Sequence, residues 1–545
     1  MDFEERSYRR ILILFGLICL CLLWFGIQLV RIQLFNYERF SRSAVNQRSG
    51  LLQTNPLRGL FYDRNGLVLR GIGLKRYVVI DQKRPIPKER LIAVLGQQFA
   101  QAAADHAKDA VWLYPVPLTS AQLHSISQLK AQGLKIITNP AERDPTQNLA
   151  WHLIGTVANN RGVFGLENLY NEALTKKSPA SSLVLLHDGL RRVFHGIGIR
   201  QQINFEQTGV ILTVDRRIQQ IVEKTLDNEK FNGAVVVLDV QNGQILALAS
   251  RPSVNVHDMV KSLSDPELPF LNRGISAYHP GSLFKLVLLS AGLDTGQLSL
   301  TEKFTDTGSY QIEDHSWSCT TSNGKGHGLI NLQDALAYSC NPVFIEVALR
   351  LKPQVILEYS DRFGLGKPCN IGLKEEAGGT LPSGVAMTAG EQANMALGQQ
   401  DVLATPLQIA SLIQTIANDG VRNIPRLVLG TIDPARTTIH WIDPEPPLPV
   451  LKPGTAYQVQ QMMKAVIDYG TGKEAQIKGG VAGKTGTAQT GAGNLTPDNA
   501  WFGGYAPFHQ PKYVAVVFCE KGISGGKTAA PIFREIMDKV TKIKD

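Results

Sequence analysis

Residues 11–30, ILILFGLICLCLLWFGIQLV, carry one polar side chain, Gln28, and no charge. About twenty such residues, coiled as a helix, span the hydrocarbon core of a bilayer. Two other readings exist for an apolar run. A buried helix of a soluble core is seldom this long without a charge, and a cleaved signal peptide has a shorter apolar stretch followed by a small-x-small site, which this stretch lacks. The run is therefore expected to persist as a transmembrane anchor over residues 11–31. Arg9 and Arg10 before it, against Arg31 after it, lean toward a cytoplasmic tail at 1–10. Everything from residue 32 onward would then lie outside the cytoplasm.

The rest of the 545-residue chain is long enough for two or more domains with cores of their own. With 43% apolar and 19% charged residues it reads as globular throughout. The net charge of +9 is spread along the chain rather than clustered, which argues against a nucleic-acid partner and for an anionic surface such as a membrane face or a polymeric wall.

Residues 32–210 mix strand-like pieces such as RYVVID with helical ones such as LIAVLGQQFAQAAA, and NPLRGLFYDRNGLVL holds a hairpin-turn signal at Arg64-Asn65-Gly66. No dense set of reactive side chains occurs there. A change of character at TGVILTVDRRIQQIVEKTL marks a new start, and the boundary is placed between 210 and 211. The second domain, 211–545, opens with GAVVVLDVQNGQILALAS, two β-rich runs joined through Asn242-Gly243. Three more strand candidates (AGKTGTAQT, AWFGGYAP, KYVAVVFCEKG) come late, before a helical tail, with mostly helical pattern between. The pattern predicts an α+β fold: one antiparallel sheet with helices packed on it.

In YHPGSLFKLV, Pro280-Gly281 breaks the chain and Ser282 is expected to start a helix. Ser282 and Lys285 would share one face, with about 4.5 Å of axial rise between them. A serine hydroxyl becomes a good nucleophile only when a base takes its proton, and a lysine serves as that base only if burial or positive neighbours lower its pKa. Read alone, the pair could equally be an N-cap and a lysine that snorkels to solvent. Two further pieces give it company. Ser339-Cys340-Asn341 offers a hydroxyl and an amide, and Lys484-Thr485-Gly486-Thr487 offers a cation and hydroxyls for a carboxylate, beside a glycine that lets substrate approach the backbone. Ser-x-x-Lys, Ser-x-Asn and Lys-Thr-Gly in this order form the set found in penicillin-binding proteins and class A β-lactamases.

On these motifs the chain resembles the class B penicillin-binding proteins, the D,D-transpeptidases that cross-link peptidoglycan. PLRGLFYDRNG, GVFGLENLYNEAL, LTVDRRIQQIVEKTL, TPLQIA, IANDG and AWFGGYAP extend the likeness over nearly the whole chain after the anchor. The resemblance implies an elongated, non-catalytic pedestal domain at 32–210 and a transpeptidase domain at 211–545. It implies that Ser282 forms the acyl-enzyme, Lys285 acts as base, and Ser339 and Asn341 assist proton transfer and substrate placement. Lys484, Thr485 and Thr487 would bind the terminal carboxylate, and the N–H groups of Ser282 and Thr487 would form the oxyanion hole. The implied partners are peptidoglycan stem peptides, the lipid-linked precursor, β-lactams, the membrane and a polytopic membrane glycosyltransferase. No glycosyltransferase motif is found in 32–210, so cross-linking without polymerisation is expected. Two letters depart from the family's habit: Gln400 stands where glycine is common before TPLQ, and His279 precedes Pro-Gly-Ser. A carboxypeptidase or β-lactamase would use water as acceptor, against which the anchor and pedestal argue. A catalytically idle scaffold or β-lactam receptor is the reading from another class.

Asp306, Cys319, His327 and Cys340 fall within one 35-residue window. Two thiolates, an imidazole and a carboxylate suit a closed, structural zinc site, and Cys340 lies inside Ser339-Cys340-Asn341. A Cys319–Cys340 disulfide and unlinked thiols are the alternatives. Elongation-type members of the family look similar here, which favours rod elongation over division or sporulation. No cofactor is expected for the chemistry itself. GGVAGKT and GISGGKT look like phosphate-binding loops, but each encloses one residue too few between its glycines, so no nucleotide is expected.

Overall fold

The computed structural model describes residues 2–35, 49–53, 58–69, 74–82, 84–109, 111–131, 133–140, 149–158, 161–175, 182–186, 199–202, 209–256, 258–383, 387–432, 438–488 and 498–543. Much of the expected pedestal therefore lies outside the described residues, as do residues 55–57 of NPLRG and residues 489–490 at the end of AGKTGTAQT. The chain divides into two compact units, 1–57 with 73–142 and 178–205, and 58–72 with 143–177 and 206–545.

In the first unit, α1 (Asp2–Val30) contains the apolar run as one continuous helix, long and apolar enough to cross a membrane. Ile11, Leu14, Phe15, Leu20, Leu22 and Trp24 all stand exposed on it. Leu74–Asp81 is the middle strand of an antiparallel sheet between Val111–Leu113 and Leu134–Pro140. Its alternation sends Val78 and Ile80 to one face, against Leu91, Leu95, Phe99, Trp112 and Ile126, and Val79 to the other. The single helix expected from LIAVLGQQFAQAAA breaks at Gly96, where φ is +81°, into Lys88–Leu95 and Gln97–Asp105.

Along the second unit run α2 (Arg216–Glu229), the hairpin β1 (Gly233–Asp239) and β2 (Ile245–Arg251), then α3 (Lys285–Asp294), α4 (Leu332–Ala337), α5 (Asn341–Arg350), α6 (Pro406–Ala417) and α7 (Pro453–Asp468). Strands β3 (Ala482–Ala488), β4 (Asn499–Ala506) and β5 (Tyr513–Cys519) and helix α8 (Ala530–Val540) close the chain. The five strands form one antiparallel sheet in the order β2-β1-β5-β4-β3. Val235 and Val237 point to one face, packed on Ile218 and Val222 of α2 and on Phe533 and Ile536 of α8. Val236 and Leu238 point to the other, with Leu286 and Leu289 of α3 and Ile409 and Ile413 of α6. Both faces are covered, which is why β1, β2 and β5 read as continuous apolar runs rather than alternating ones. Helix α6 is buried at every position and starts at a capping box of Thr405 and Gln408 with Pro406 at its first turn.

The middle of this unit is less purely helical than its sequence pattern suggests. Lys303–Asp306 pairs with Gly328–Asn331, and Ser309–Ile312 with His315–Ser318, as two small antiparallel ladders. Three stretches from the span expected as pedestal, 58–72, 143–177 and 206–210, also belong to this second unit. The first two are joined to each other: Arg58 Nε pairs with Glu167 Oε2 at 2.6 Å, and Arg58 Nη2 donates to Asn171 Oδ1 at 3.0 Å. The turn read from Arg64-Asn65-Gly66 is present, with Asp63 Oδ1 accepting from the N–H groups of Asn65 and Leu67 at 2.8 Å each.

Candidate active site

Ser282 does not begin a regular helix; it is the second residue of a 3-10 turn, Gly281–Phe284, that runs into α3 at Lys285. Side chains three apart eclipse in such a turn, so Ser282 and Lys285 stay on one face. The turn is pinned from behind. Gly281 N donates to Gly398 O at 3.2 Å, and Tyr278 and Ala404 exchange backbone hydrogen bonds of 3.0 and 2.8 Å. His279 is half-buried with Nδ1 2.9 Å from Val402 O, a contact that occupies its ring in holding the loop. Gly281 sits at φ +57°, and a Cβ there would lie 2.5 Å from Thr487 O; one on Gly486 would lie 2.9 Å from Pro280 O. These two glycines let the serine turn and β3 meet backbone to backbone.

Lys285 is fully buried, among the apolar neighbours that its sequence surroundings supply. Its Nζ donates to Ser339 O at 2.8 Å and to Asn341 Oδ1 at 2.7 Å, and lies 3.4 Å from Ser339 Oγ. Burial lowers its pKa to about 7, partly opposed by the nearby Cys340 and Cys319. Lys484, also fully buried, donates to Ser339 Oγ at 2.8 Å and to Thr485 O at 2.9 Å. Its pKa is lowered as well, by burial first and then by the charge of Lys285. One hydroxyl thus stands between two buried amines, an arrangement that disfavours two ammonium ions at once.

The backbone explains how Ser339 reaches that point. After α4, Cys340 N donates to Ala335 O at 2.8 Å and Ser339 N to Leu336 O at 3.1 Å, the paired bonds of a Schellman cap. The residue in the left-handed position of that cap is Ser339, at φ +57°, where glycine is the usual occupant. The next helix, α5, starts at once with Asn341-Pro342, so Ser339 and Asn341 are held by the end of one helix and the start of another. Asn341 Nδ2 donates to Ser318 O at 3.1 Å, leaving its oxygen to Lys285. On β3, Thr485 Oγ1 lies 2.7 Å from Thr471 Oγ1, and Gly525 N donates to Thr487 Oγ1 at 3.3 Å. Thr471 escaped sequence reading because a Thr-Gly pair after a helix looks only like its end.

Asp306, Cys319, His327 and Cys340 come together, with one candidate donor atom from each and all within 4.8 Å of one another. Both thiols and the Asp306 carboxylate are buried. His327 Nδ1 lies 2.7 Å from Asp306 Oδ2 and 3.4 Å from Cys319 Sγ, and its ring stacks on Tyr338 at 4.9 Å. Gly308 N donates to Asp306 Oδ1 at 2.9 Å, which aims the other carboxylate oxygen at the histidine. The hydrogen bond between the two sulfurs lowers the pKa of Cys319 to about 5 and raises that of Cys340. A donor set of two sulfurs, one imidazole nitrogen and one carboxylate oxygen suits a tetrahedral divalent ion. All six cysteines are unlinked.

Comparison with known proteins bears on the same region. The family described as "Penicillin binding protein transpeptidase domain" matches residues 233–538. The "Stage V sporulation protein D" of Bacillus subtilis is 28% identical, covering 96% of this chain and 84% of that protein. The "Peptidoglycan D,D-transpeptidase MrdA" of Acinetobacter baumannii is 26% identical, covering 98% of this chain and 88% of that protein. In fold, the chain is like the crystal structure of penicillin binding protein 3 from Mycobacterium tuberculosis complexed with aztreonam, at a TM-score of 0.65 and 23% identity over 91% of this chain and 98% of that one.

Proposed function

The chain belongs to the penicillin-binding protein transpeptidase family, class B, and we propose that it works as an anchored peptidoglycan D,D-transpeptidase with Ser282 as nucleophile. The observation that carries the residue assignment is the Ser339 hydroxyl set between the buried amines of Lys285 and Lys484. Ser282 Oγ attacks the carbonyl carbon of the penultimate D-Ala of a stem peptide while its proton passes to neutral Lys285. The tetrahedral oxyanion is held by the N–H groups of Ser282 and Thr487. The proton then returns, relayed through Ser339, to the departing D-Ala amine, and the acyl group stays on Ser282. An amine of a second stem peptide then attacks that ester; its proton passes to Lys285 and on to Ser282 Oγ as the ester bond breaks, and the amine leaves with the acyl group. Lys484, Thr485 and Thr487 hold the terminal carboxylate of the donor.

Labelling the full-length chain with a fluorescent penicillin tests this. Ser282-dependent label is expected, and its absence overturns the serine reading. Label without transfer to an acceptor amine would favour a β-lactam receptor. The residue pattern around His327 and the MrdA-named relatives support a role in rod elongation. A polytopic membrane glycosyltransferase is the proposed partner, and Arg9 and Arg10 against Arg31 support a cytoplasmic N-terminus. Depletion giving round cells rather than filaments or blocked spores is the outcome that fits.

Asp306, Cys319, His327 and Cys340 are the proposed ligands of one structural zinc ion. Bound there, it would supply positive charge for the thiolates and a cross-link that fixes the loop bearing Ser339 and Asn341. Metal analysis of the purified chain should give about one zinc per chain. Cys319→Ser should lose most of it, together with several degrees of thermal midpoint. A metal-free wild type would remove the site.

A further inference from the structure

Two side chains of the segment leading into the serine turn converge on one carboxylate far along the chain. Arg273 Nε and Glu520 Oε1 form an ion pair at 2.9 Å without the alignment of a hydrogen bond, and the Tyr278 hydroxyl donates to the same oxygen at 3.2 Å. Arg273 is buried, with Nη1 and Nη2 donating to the carbonyls of Leu268 and Glu267 at 3.2 and 2.8 Å. Glu520 follows β5 directly. Strand alternation puts it on the same face as Phe518, whose ring centroid is 4.2 Å from that of Tyr278. Tyr278 stays protonated because burial, then the charge of Glu520, raise its pKa, so it always has a proton to donate.

We infer that Glu520 is a positioning residue for acylation: by gripping Arg273 and Tyr278 it ties the segment 273–281 to the sheet and so sets where Ser282 Oγ stands. This rests on the reading of Ser282 as nucleophile. At its start the segment is also tied by backbone groups, Arg273 N donating to Ser250 Oγ on β2 at 3.1 Å and Gly274 O accepting from Leu407 N of α6 at 3.1 Å, and Ile275 O accepts from Ala377 N at 3.0 Å. Nearer the serine, the backbone ties of Tyr278 and Gly281 run to the irregular loop 398–404 through Ala404 and Gly398. Through Tyr278, Glu520 adds a tie four residues from Ser282 that refers this end of the segment to β5, in the same sheet as β3. The backbone of Thr487 lies on β3, beside Gly281. Nucleophile and oxyanion donor are thereby placed from one rigid element, and a displacement of about 1 Å between such groups costs on the order of 100-fold in rate.

The test measures the acylation rate constant and the non-covalent dissociation constant separately, on the full-length chain in detergent with a fluorescent penicillin. Tyr278→Phe removes one hydroxyl and should slow acylation about threefold to tenfold, with the dissociation constant and the thermal midpoint little changed. Glu520→Ala should slow it about 10- to 100-fold, Glu520→Gln less because it keeps an acceptor for Tyr278, and the double variant Tyr278→Phe/Glu520→Ala no more than Glu520→Ala alone. Unchanged acylation in Tyr278→Phe and Glu520→Gln, effects that multiply, or effects confined to the dissociation constant would overturn the role. Should Glu520→Ala fail to fold, with Arg273 left unpaired, the two conservative variants decide. A wild type that does not acylate would instead overturn the reading of Ser282, a separate failure.

Discussion

Ser339 carries three burdens in one residue: a hydroxyl shared by two amines, a left-handed backbone, and the end of a helix. Glycine satisfies the second and third but not the first, so Ser339→Gly isolates the hydroxyl. Its thermal midpoint should not fall, while acylation by a penicillin should drop about 10²- to 10⁴-fold, the range of a lost proton-transfer group. A slow enzyme that has also lost stability would show instead that the serine's own contacts hold the loop. Lys285 makes a prediction of its own. Only its neutral form can take the Ser282 proton, and burial sets its pKa at about 7. Acylation should therefore rise about tenfold per pH unit below 7 and level off above it. A profile flat from pH 5 to 9 would exclude this lysine as the base.

The elements around the site raise a question of pH and stability. His152, in the short helix Trp151–Ile154, is buried with Nε2 2.8 Å from Pro269 O, just ahead of Arg273. Burial lowers its pKa to about 4, against the carbonyl's opposing pull, with Arg251 and Arg273 adding to the drop. Unfolded histidine titrates near 6.5. Between these two values the unfolded chain binds a proton that the folded one refuses, so stability falls as pH drops from 6.5 toward 4. By pH 5 the loss is about 2 kcal/mol. The thermal midpoint of the wild type should fall several degrees more between pH 7 and pH 5 than that of His152→Gln, read by calorimetry. An equal fall in both would mean that other groups dominate. This helix also marks where the sequence stopped being readable. The serine turn, the Ser339 loop and β3 were legible because each packs its chemistry into three or four consecutive residues. The pairing of Arg58 with Glu167, and of Tyr278 with Glu520, depends on partners 109 and 242 positions apart, and no local pattern announces them. The small ladders at 303–331 hid for another reason. Their strands are four residues long and partly exposed, too short to display a period.

At the scale of the whole molecule two forces could hold the chain on a membrane, and they answer differently to salt. One is its net charge of +9 against anionic lipid or wall polymer. In about 1 M salt the Debye length shrinks to about 3 Å, and that attraction all but vanishes. The other is α1, whose exposed Ile, Leu, Phe and Trp side chains would gain roughly tens of kcal/mol on leaving water, a term that salt does not weaken. If the helix spans the bilayer, membranes washed in about 1 M salt should retain the full-length chain, and only detergent should release it. With the orientation toward which Arg9 and Arg10 lean, protease added outside intact spheroplasts should then digest the chain after residue 31 while leaving the first ten residues protected. Release by salt alone would make the protein a peripheral one held by charge, and protection of the second unit from external protease would invert the orientation and separate the serine from the wall peptides it is proposed to join.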